Sequence, residues 1–558
     1  MYEEKDSLKF GYYSAGVLDS MDCKVASPLL NIPGGSFDGE LYITPKFILN
    51  HSEFQNFNQR EVSHKFTYTS LPHIGFNYAF GSKGTQFLKV DYEQALNSKI
   101  LLNFKINQNS SNGFLKNSGF SFRDFSFNLR KNGRFYSAKF EGDYSYQKLA
   151  LNGGVIEDST LISQGLEYVD VMNGTSSGSF SEIKKNNYTL KNQFNFSKDS
   201  TKQFGVSTLH KFKTNNRVFN EVFTSTKYSI INIDSNTTRD QFQLASIENA
   251  GGFYLKHRKM YFDALIGHRY WNVQNLGNHR DTSEISMLSN LHFVSAKHSF
   301  SNQFAFNLVG AKNEWSNQTH FSTSFNKFDL NADALVEQKL PLPIQRSYFS
   351  NNYNYQLANY QLQTRFFGNL DLNFEANRNV KFGVNSSFAF LKNNYYFINS
   401  VWRNDTLKTN LSSIISIYSS LTYKKFTFQP RCNFSLQSKE LNLLPDYHLS
   451  ARLFLKGKAF KSKKLEYIYG VDLSYISNYR LVGYNYQLEM YTLTNSMKEF
   501  KAMLNLNAFI GIAMNEFRMF LKVNNLGYLW NDKTNQQLIG YPIQKNYIQL
   551  GITWDFFN

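Results

Sequence analysis

The last twelve residues constrain the fold most, because apolar and polar side chains alternate there. Residues 547–558 read Y-I-Q-L-G-I-T-W-D-F-F-N. One parity carries only large apolar side chains: Ile548, Leu550, Ile552, Trp554 and Phe556. A period of two predicts a β-strand with one apolar and one polar face. An unpaired edge strand in lipid would leave backbone groups unsatisfied, so we expect this last strand to pair with the first and close a barrel.

The same alternation recurs through most of the chain and is persistent from His73 onward. Clear examples are 99–107, 136–146, 362–375 and 464–475. A soluble β-sandwich also alternates, but its strands are usually about five or six residues long. Many runs here reach about 11 to 15 residues, whereas a tilted membrane strand needs about 9 to 11. The sequence therefore predicts an all-β, transmembrane antiparallel β-barrel of about 22 strands, with 18 to 24 compatible.

Composition agrees with a barrel. The 558 residues include 53 Phe and 35 Tyr, and 17% of the chain is aromatic. Mean hydropathy is only -0.44, and no apolar run reaches 18 residues, which excludes a helical membrane protein. A barrel escapes that test because half of each strand faces a polar interior. The 2 Cys residues are too few for a disulfide framework.

The formal charge of +17 comes from 60 Lys and Arg against 43 Asp and Glu. The basic residues are spread along strands, so we expect lumen and loop charges facing anionic glycans or an anionic solute, and no nucleic acid. Ten ionisable residues are candidates to line the lumen: Lys99, Lys105, Lys139, Glu141, Asp143, Arg365, Asp371, Glu375, Arg431 and Arg518. Their basic members could favour anions. Alternatively, these residues pair with one another and only keep the wall solvated.

The N-terminal region does not read as barrel wall. Pro28, Pro33 and the following glycines interrupt it. We predict that residues 1–60 form a periplasmic or lumen-lying segment and that residues 61–558 form the single barrel domain. The start of the sequence shows no cationic and apolar leader, so we expect that a secretory signal was removed or precedes it.

Connections between strands predict the orientation. Short turns at 377–379 and 514–516 contrast with long polar stretches at about 148–185, 228–239, 274–282 and 527–544. If the C-terminus is periplasmic, the last long stretch lies outside the cell, as in outer-membrane barrels. In the longest stretch, five residues are a candidate constriction loop or, alternatively, a surface turn: Asn152, Gly153, Gly154, Glu157 and Asp158.

Two resemblances point the same way. Gln549, Gly551, Trp554 and Phe556 resemble the C-terminal signal by which insertion machinery recognises outer-membrane barrels. The run 80–94, the Ser111–Phe114 stretch and Asn152–Val155 with Asp158 resemble the Putative porin family of Bacteroidota. Leu151 and Tyr92 depart from the residues usual in that family. The resemblance implies an outer-membrane barrel acting as a pore.

We therefore expect a channel for passive diffusion of small hydrophilic solutes, anionic ones among them, in the bacterial outer membrane. The alternative is the barrel of an active-transport or secretion complex that works with other envelope proteins. Residues 174–178 fit the G-x-S-x-G pattern but lack the flanking buried strand and helix of a nucleophile elbow. We expect no catalytic site, metal site or cofactor. The expected partners are outer-membrane lipid, lipopolysaccharide and the insertion machinery.

Overall fold

The computed structural model describes residues 71–557, apart from gaps at 157–161, 163–168, 173–177, 198, 200, 224–226, 277, 312, 358, 399–400, 404–408, 439–444 and 494–497. Within the described part, the barrel wall begins at His73. The predicted N-terminal segment, residues 1–60, lies outside the described residues, so its boundary at residue 61 stays a prediction.

Twenty-two strands form one closed antiparallel sheet. In chain order they are β1 His73–Gly81, β2 Thr85–Asn97, β3 Ile100–Ser111, β4 Phe120–Lys131, β5 Tyr136–Ala150, β6 Phe180–Asn195, β7 Lys202–Val222, β8 Thr237–His257, β9 Met260–Asn275, β10 Asn278–Val294, β11 His298–Val309, β12 Trp315–Phe325, β13 Phe328–Lys339, β14 Gln363–Asn377, β15 Val380–Lys392, β16 Thr409–Tyr423, β17 Phe426–Gln437, β18 Tyr447–Ala459, β19 Leu465–Ile476, β20 Met503–Met514, β21 Phe517–Asn524 and β22 Tyr547–Phe557. Each pairs with its sequence neighbours, and β22 closes the ring on β1, joining Ile74 to Phe556 and Phe80 to Leu550. The predicted closed barrel of about 22 strands is confirmed.

The two faces of the wall differ as a membrane barrel requires. On β22, Trp554 and Phe556 are exposed on the outside, whereas Gln549 and Thr553 are buried on the inside. The same division holds on β14, where Leu370 and Leu372 point outward between polar residues. Apolar side chains thus meet lipid and polar ones meet the interior. The described residues contain no helix of the length and apolar character needed to cross a membrane.

The two ends of the barrel also differ. At the short-turn end, ten connections of two to six residues join the strands: 98–99, 132–135, 196–201, 258–259, 295–297, 326–327, 378–379, 424–425, 460–464 and 515–516. At the long-connection end, eleven connections join them: 82–84, 112–119, 151–179, 223–236, 276–277, 310–314, 340–362, 393–408, 438–446, 477–502 and 525–546. The described chain starts and ends at the short-turn end.

The long connections contain short elements. Small hairpins are formed by Ser347–Phe349 with Asn354–Gln356, by Tyr396–Ile398 with Val401–Arg403, by Gly483–Asn485 with Met490–Thr492, and by Gln536–Leu538 with Tyr541–Pro542. Tyr479–Arg480 pairs with Glu499–Phe500. Pro343–Arg346 forms one helical turn, and Ser82–Gly84 and Leu526–Leu529 form 3₁₀ turns. These connections are therefore folded units rather than open loops.

One predicted connection is wrong. β9 runs to Asn275 and β10 starts at Asn278, so the stretch 274–282 is a tight hairpin. Its polar residues bond across the strands, as when Asn272 Nδ2 donates to Asp281 Oδ1 at 2.8 Å. The strands of this hairpin are longer than a strand needs to be to cross the lipid. Their outward side chains near the tip therefore face water, and a polar stretch there does not indicate a loop.

Candidate functional site

The connection 477–502, here called the strap, crosses the mouth of the barrel at the long-connection end. It leaves the wall at β19 and returns at β20, yet its middle contacts the inner face of β7. In the closed ring, β7 lies ten strands from β19 one way and twelve the other. These strands are therefore on opposite sides of the barrel. Ordinary strand spacing and tilt make a 22-stranded barrel about 40 Å across, and the strap reaches from one side of it to the other.

A buried ion pair holds the strap to the far wall. Arg217 Nε, on β7, donates to Glu489 Oε1 at 3.0 Å, and the two side chains are 1% and 0% exposed. Arg217 also donates to the backbone carbonyl of Gln487. Glu489 has φ of 50°, in the left-handed region that is unfavourable for a residue with a side chain. The strap therefore adopts a strained backbone to place this carboxylate.

A second polar cluster lies beside the ion pair. Glu221, near the end of β7, accepts hydrogen bonds from Lys227 Nζ at 2.5 Å and from Tyr486 of the strap at 3.2 Å. Tyr228 also donates to Glu221, and its hydroxyl lies 2.6 Å from that of Tyr486. Burial, with the neighbouring Tyr486 and Glu221, raises the pKa of Tyr228. The phenol stays neutral and can keep donating to the carboxylate.

The strap also joins the other connections. Gln487 Nε2 donates to Asn352 Oδ1 at 3.0 Å and Asn485 Nδ2 donates to Tyr353 Oη at 2.6 Å, both in connection 340–362. Its backbone bonds to connections 393–408 and 525–546. We call the cap the strap together with the described residues of connections 151–179, 223–236, 340–362, 393–408 and 525–546.

Apolar side chains form the interior of the cap. One buried cluster contains Leu391, Tyr396, Ile476, Tyr479, Leu481, Val482, Phe500, Met503, Tyr528, Leu538, Tyr541 and Ile543. A second contains Phe242, Leu244, Ile344, Tyr348, Tyr395, Phe397, Trp402, Leu488 and Met490. Burial raises the pKa of Tyr479 and of Tyr348. Because apolar burial drives packing, these clusters make the cap a small folded core at the mouth.

Part of the predicted constriction loop belongs to this cap. Asn152 is fully buried and its Nδ2 donates to the Lys116 carbonyl at 3.1 Å. Gly153 and Gly154 both have positive φ, and a Cβ on Gly154 would meet the Gly540 carbonyl oxygen at 3.0 Å. The structure places these residues against connection 525–546. Glu157 and Asp158 lie outside the described residues, and the constriction role stays a prediction.

Most candidate lumen residues have a partner in the wall. Lys105 lies 3.9 Å from Asp91, Lys139 2.8 Å from Glu141, Arg365 3.4 Å from Glu337, Glu375 3.4 Å from Lys381, and Arg518 3.1 Å from Asp555. Asp143 shares a face of β5 with Glu141 and is half-buried. Lys99 is exposed in the turn 98–99. The pair Lys139–Glu141 joins two of the candidates directly. Their role in selectivity stays a prediction.

Asp371 and Arg431 are linked through a tyrosine that sequence analysis did not single out. Tyr418 Oη, on β16, donates to Asp371 Oδ1 at 2.7 Å and lies 2.8 Å from Asn373 Oδ1. Its ring packs over Gly383 of the intervening β15, where a Cβ would meet ring atoms at 2.2 Å. The Arg431 guanidinium lies 5.4 Å from the ring centroid. A Gly beside an aromatic on the neighbouring strand is the signal for such contacts.

The residues of the predicted insertion signal lie on both faces of β22. Trp554 and Phe556 stack with ring centroids 4.6 Å apart and are exposed on the outside. Gln549 is buried and its Oε1 accepts from Asn524 Nδ2 at 3.0 Å. The Phe520 ring covers Gly551. Recognition by insertion machinery stays a prediction.

The two ends of the barrel differ in net charge because the acidic residues are distributed unevenly between them. The ten short turns contain 13 basic residues and two acidic ones, Asp199 and Glu516. We call the described basic residues of this set the basic rim: Lys99, Arg134, Arg258, Lys259, Lys297, Lys327, Arg378, Lys424, Lys425, Lys461, Lys463 and Lys464. The eleven opposite connections contain 13 basic and 12 acidic residues. The short-turn end is therefore strongly positive, whereas the long-connection end is nearly neutral.

No cluster of three or more His, Cys, Asp or Glu residues suited to a metal ion occurs among the described residues. The G-x-S-x-G stretch falls mostly at 173–177, outside the described residues. The closed barrel, its apolar outer face and its capped mouth define the chain as an outer-membrane transport barrel. The chain belongs to the family described as Putative porin, whose model matches residues 41–558.

Solved structures share the fold. The siderophore receptor PirA from Acinetobacter baumannii is 11% identical, with a TM-score of 0.58 over 88% of this chain and 81% of that one. The FrpB iron transporter from Neisseria meningitidis is 8% identical, with a TM-score of 0.58 over 88% and 83%. The ferric preacinetobactin receptor BauA from A. baumannii is 9% identical, with a TM-score of 0.53 over 88% and 80%. No curated protein matches the sequence.

Proposed function

We propose that this barrel lets small hydrophilic solutes diffuse across the outer membrane and that the cap gates the mouth. The observation that carries the proposal is the strap, which crosses the mouth and is fixed to the opposite wall by the pair Arg217–Glu489. The strap can move only if that pair separates, because the pair is its buried anchor on β7. Its gating role is to hold the mouth closed until the anchor releases.

The proposed charge preference is weak. Lys105, Lys139, Arg365 and Arg518 each lie within 4 Å of a carboxylate. A paired cation projects little net field into the lumen, so neutral polar solutes should pass as readily as anions. We further propose that the chain acts without enzymatic chemistry.

The proposed orientation puts the short-turn end in the periplasm. Short periplasmic turns and long extracellular connections are the usual arrangement of outer-membrane barrels, and the described C-terminus lies at the short-turn end. The test is labelling of intact cells with a membrane-impermeant maleimide. A Cys in place of Lys533, in the cap, should react, whereas a Cys in place of Lys461, on the basic rim, should react only after the outer membrane is opened. The reverse pattern would overturn the orientation.

Gating is tested by single-channel recording of the purified protein in a planar bilayer. Phe219 of β7 and Tyr486 of the strap have ring centroids 6.3 Å apart. With Cys at both positions, and with Cys23 and Cys432 replaced by Ser, a short cleavable thiol cross-linker should abolish openings. Cleavage should restore them.

The matched control joins two positions on the wall. Phe328 and Phe374 have ring centroids 4.7 Å apart near the short-turn end, far from the strap. The same cross-link there should leave openings unchanged. Steady, large conductance through the strap-locked protein would overturn gating by the cap. A salt gradient in the same recordings should give a reversal potential near zero, and strong anion selectivity would overturn the proposed weak preference.

A second candidate is the barrel of an active-transport system. It is favoured by the strand number, because barrels of 22 strands are typically plugged transporters rather than open pores, and by the likeness to a siderophore receptor and an iron transporter. Absence of conductance even from a variant with the anchor removed, Glu489→Gln, would favour this candidate over a diffusion channel.

A further inference from the structure

The basic rim surrounds the barrel rather than marking one side of it. Eight of the ten short turns contain at least one of its residues. Exposed aromatic side chains accompany it: Phe325 and Tyr423 lie at strand ends on the outer face, and Phe135 and Phe460 lie in the turns themselves. Rings of this kind settle at the boundary between lipid tails and headgroups. The aromatic band therefore places the rim at headgroup level.

Three cations of the rim occupy turn positions whose left-handed backbone conformation favours Asn or Gly. Arg258, Lys424 and Lys463 have φ of 51°, 55° and 53°. Asn326 and Asn515 fill left-handed positions in two other turns of this end, and Asn or Gly adopts that conformation at lower cost. A turn needs no cation to form. Three of these turns have Arg or Lys at such a position, as Lys83 does at the opposite end, so the rim keeps its cations at positions that do not favour them.

We propose that the basic rim binds anionic phospholipid headgroups of the leaflet at the short-turn end. Lysine stems lie along apolar surface while their ammonium groups reach the phosphate level. Each such cation near an anionic leaflet gains about 1 kcal/mol, or about fivefold in local concentration of anionic lipid. A leaflet contacts the entire circumference, whereas a folded protein partner would contact one arc.

The identity of the leaflet rests on the proposed orientation, which places the rim on the phospholipid side of the outer membrane. Binding itself does not depend on orientation. An assay in a membrane that has phospholipid on both sides therefore separates failure of this inference from failure of the proposed function.

The test uses the full chain in phosphatidylcholine vesicles with spin-labelled phosphatidylglycerol or phosphatidylcholine. Electron paramagnetic resonance measures how much of each label is held at the protein surface. We expect phosphatidylglycerol to be held several-fold more than phosphatidylcholine at low salt. The ratio should fall toward one at about 0.5 M salt, because screening shortens the reach of the charges to a few ångströms.

Two variants locate the binding. The rim variant replaces four cations by Gln: Lys424, Lys425, Lys463 and Lys464. The control removes the same charge at the opposite end: Lys83, Lys116, Lys533 and Lys545. In the rim variant, the ratio of bound phosphatidylglycerol to bound phosphatidylcholine should fall several-fold. The control should keep most of the native ratio. Equal loss of lipid selectivity in both variants, or no selectivity in the native protein, would overturn the inference. An acidic macromolecule would then be the alternative ligand of the rim.

Folding of the variants is checked separately. The four rim positions lie in turns and are exposed, so the barrel should keep its heat-sensitive compact migration on gels. A further variant with Arg at the same four positions keeps the charge and should keep the lipid selectivity. Loss of selectivity in the Arg variant would contradict binding through charge.

Discussion

Arg217 and Glu489 are 272 residues apart in the chain but form an ion pair in which neither side chain is more than 1% exposed. The second oxygen of the carboxylate, Glu489 Oε2, is also buried and has no hydrogen-bond partner among the described residues. Removing two charges from water costs free energy that their attraction only partly returns. The pair therefore fixes where the strap sits more than it stabilises the molecule.

The first prediction concerns this pair. Glu489→Gln should lower the stability of the closed strap by about 3 kcal/mol, because the charge of Arg217 stays buried without its partner. Replacing both residues together, Arg217→Met with Glu489→Leu, should restore most of the loss. Hydrogen exchange of strap amides measures both effects.

The control for that prediction is Glu466→Gln. Its partner Lys458, 3.1 Å away, is more than half exposed, and such pairs contribute less than about 1 kcal/mol. The strap amides should exchange as in the native protein. A double variant that exchanges as fast as Glu489→Gln would show that the two side chains do not act as a pair.

The second prediction concerns the contact between Gly383 and Tyr418. A Cβ at Gly383 would lie 2.2 Å from atoms of the Tyr418 ring, so Gly383→Ala should displace the ring and break its hydrogen bond to Asp371. We expect a loss of about 1 to 3 kcal/mol in the free energy of unfolding. The control is Gly251→Ala, where nothing lies within 4 Å of the new methyl. Urea titration should find that Gly251→Ala leaves the free energy of unfolding unchanged. Equal losses in the two variants would show that the contact between Gly383 and Tyr418 is not the cause.

The third prediction concerns alkaline pH. Burial raises the pKa of Tyr228, and acts in the same direction on Tyr348 and Tyr479. A raised pKa means that folding favours the neutral phenol. The stabilisation is complete below the ordinary value of about 10 and declines as pH rises from there toward the folded value. The cap should therefore loosen above about pH 10.

Ultraviolet titration checks this directly. Tyr228→Phe should leave the tyrosinate absorbance of the folded protein at pH 11 unchanged, because that phenol has not ionised. In denaturant, the same substitution should lower the absorbance by one tyrosine. A loss of one tyrosinate in the folded protein would contradict a raised pKa.

The fourth prediction concerns the end of β22. Phe556→Ala should lower the amount of barrel assembled in the outer membrane several-fold, because it removes an aromatic of the predicted insertion signal. Phe80→Ala, at an aromatic of the adjacent β1 that is more exposed than Phe556, should have little effect. Heat-sensitive gel migration of membrane fractions measures the yield. Equal yields from the two variants would show that Phe556 is not part of the insertion signal.

The wall could be predicted because each strand has one face in lipid and the other in the polar interior of the barrel. Alternation of apolar Leu370 and Leu372 with polar Asn369 and Asp371 states directly which side chains face lipid. Even the pair Lys139–Glu141 follows from the pattern, since residues two apart share a face. The pair Arg518–Asp555 requires the register of β21 on β22, which alternation does not supply.

The cap could not be predicted by the same reasoning. The strap does not lie between lipid and lumen, so its side chains have no reason to alternate. Its length alone, 26 residues between β19 and β20, marks it as more than a turn. Nothing in the spacing of Arg217 and Glu489 relates them, because their contact depends on closure of the whole ring.

That dependence sets the order in which the molecule is completed. The strap follows β7 by a long stretch of the sequence. It reaches β7 only across the closed barrel, after β22 has paired with β1. Contacts between such distant parts of a chain form late. We therefore expect that a barrel in which β22 has not yet paired with β1 lacks the contact between Arg217 and Glu489 across its mouth.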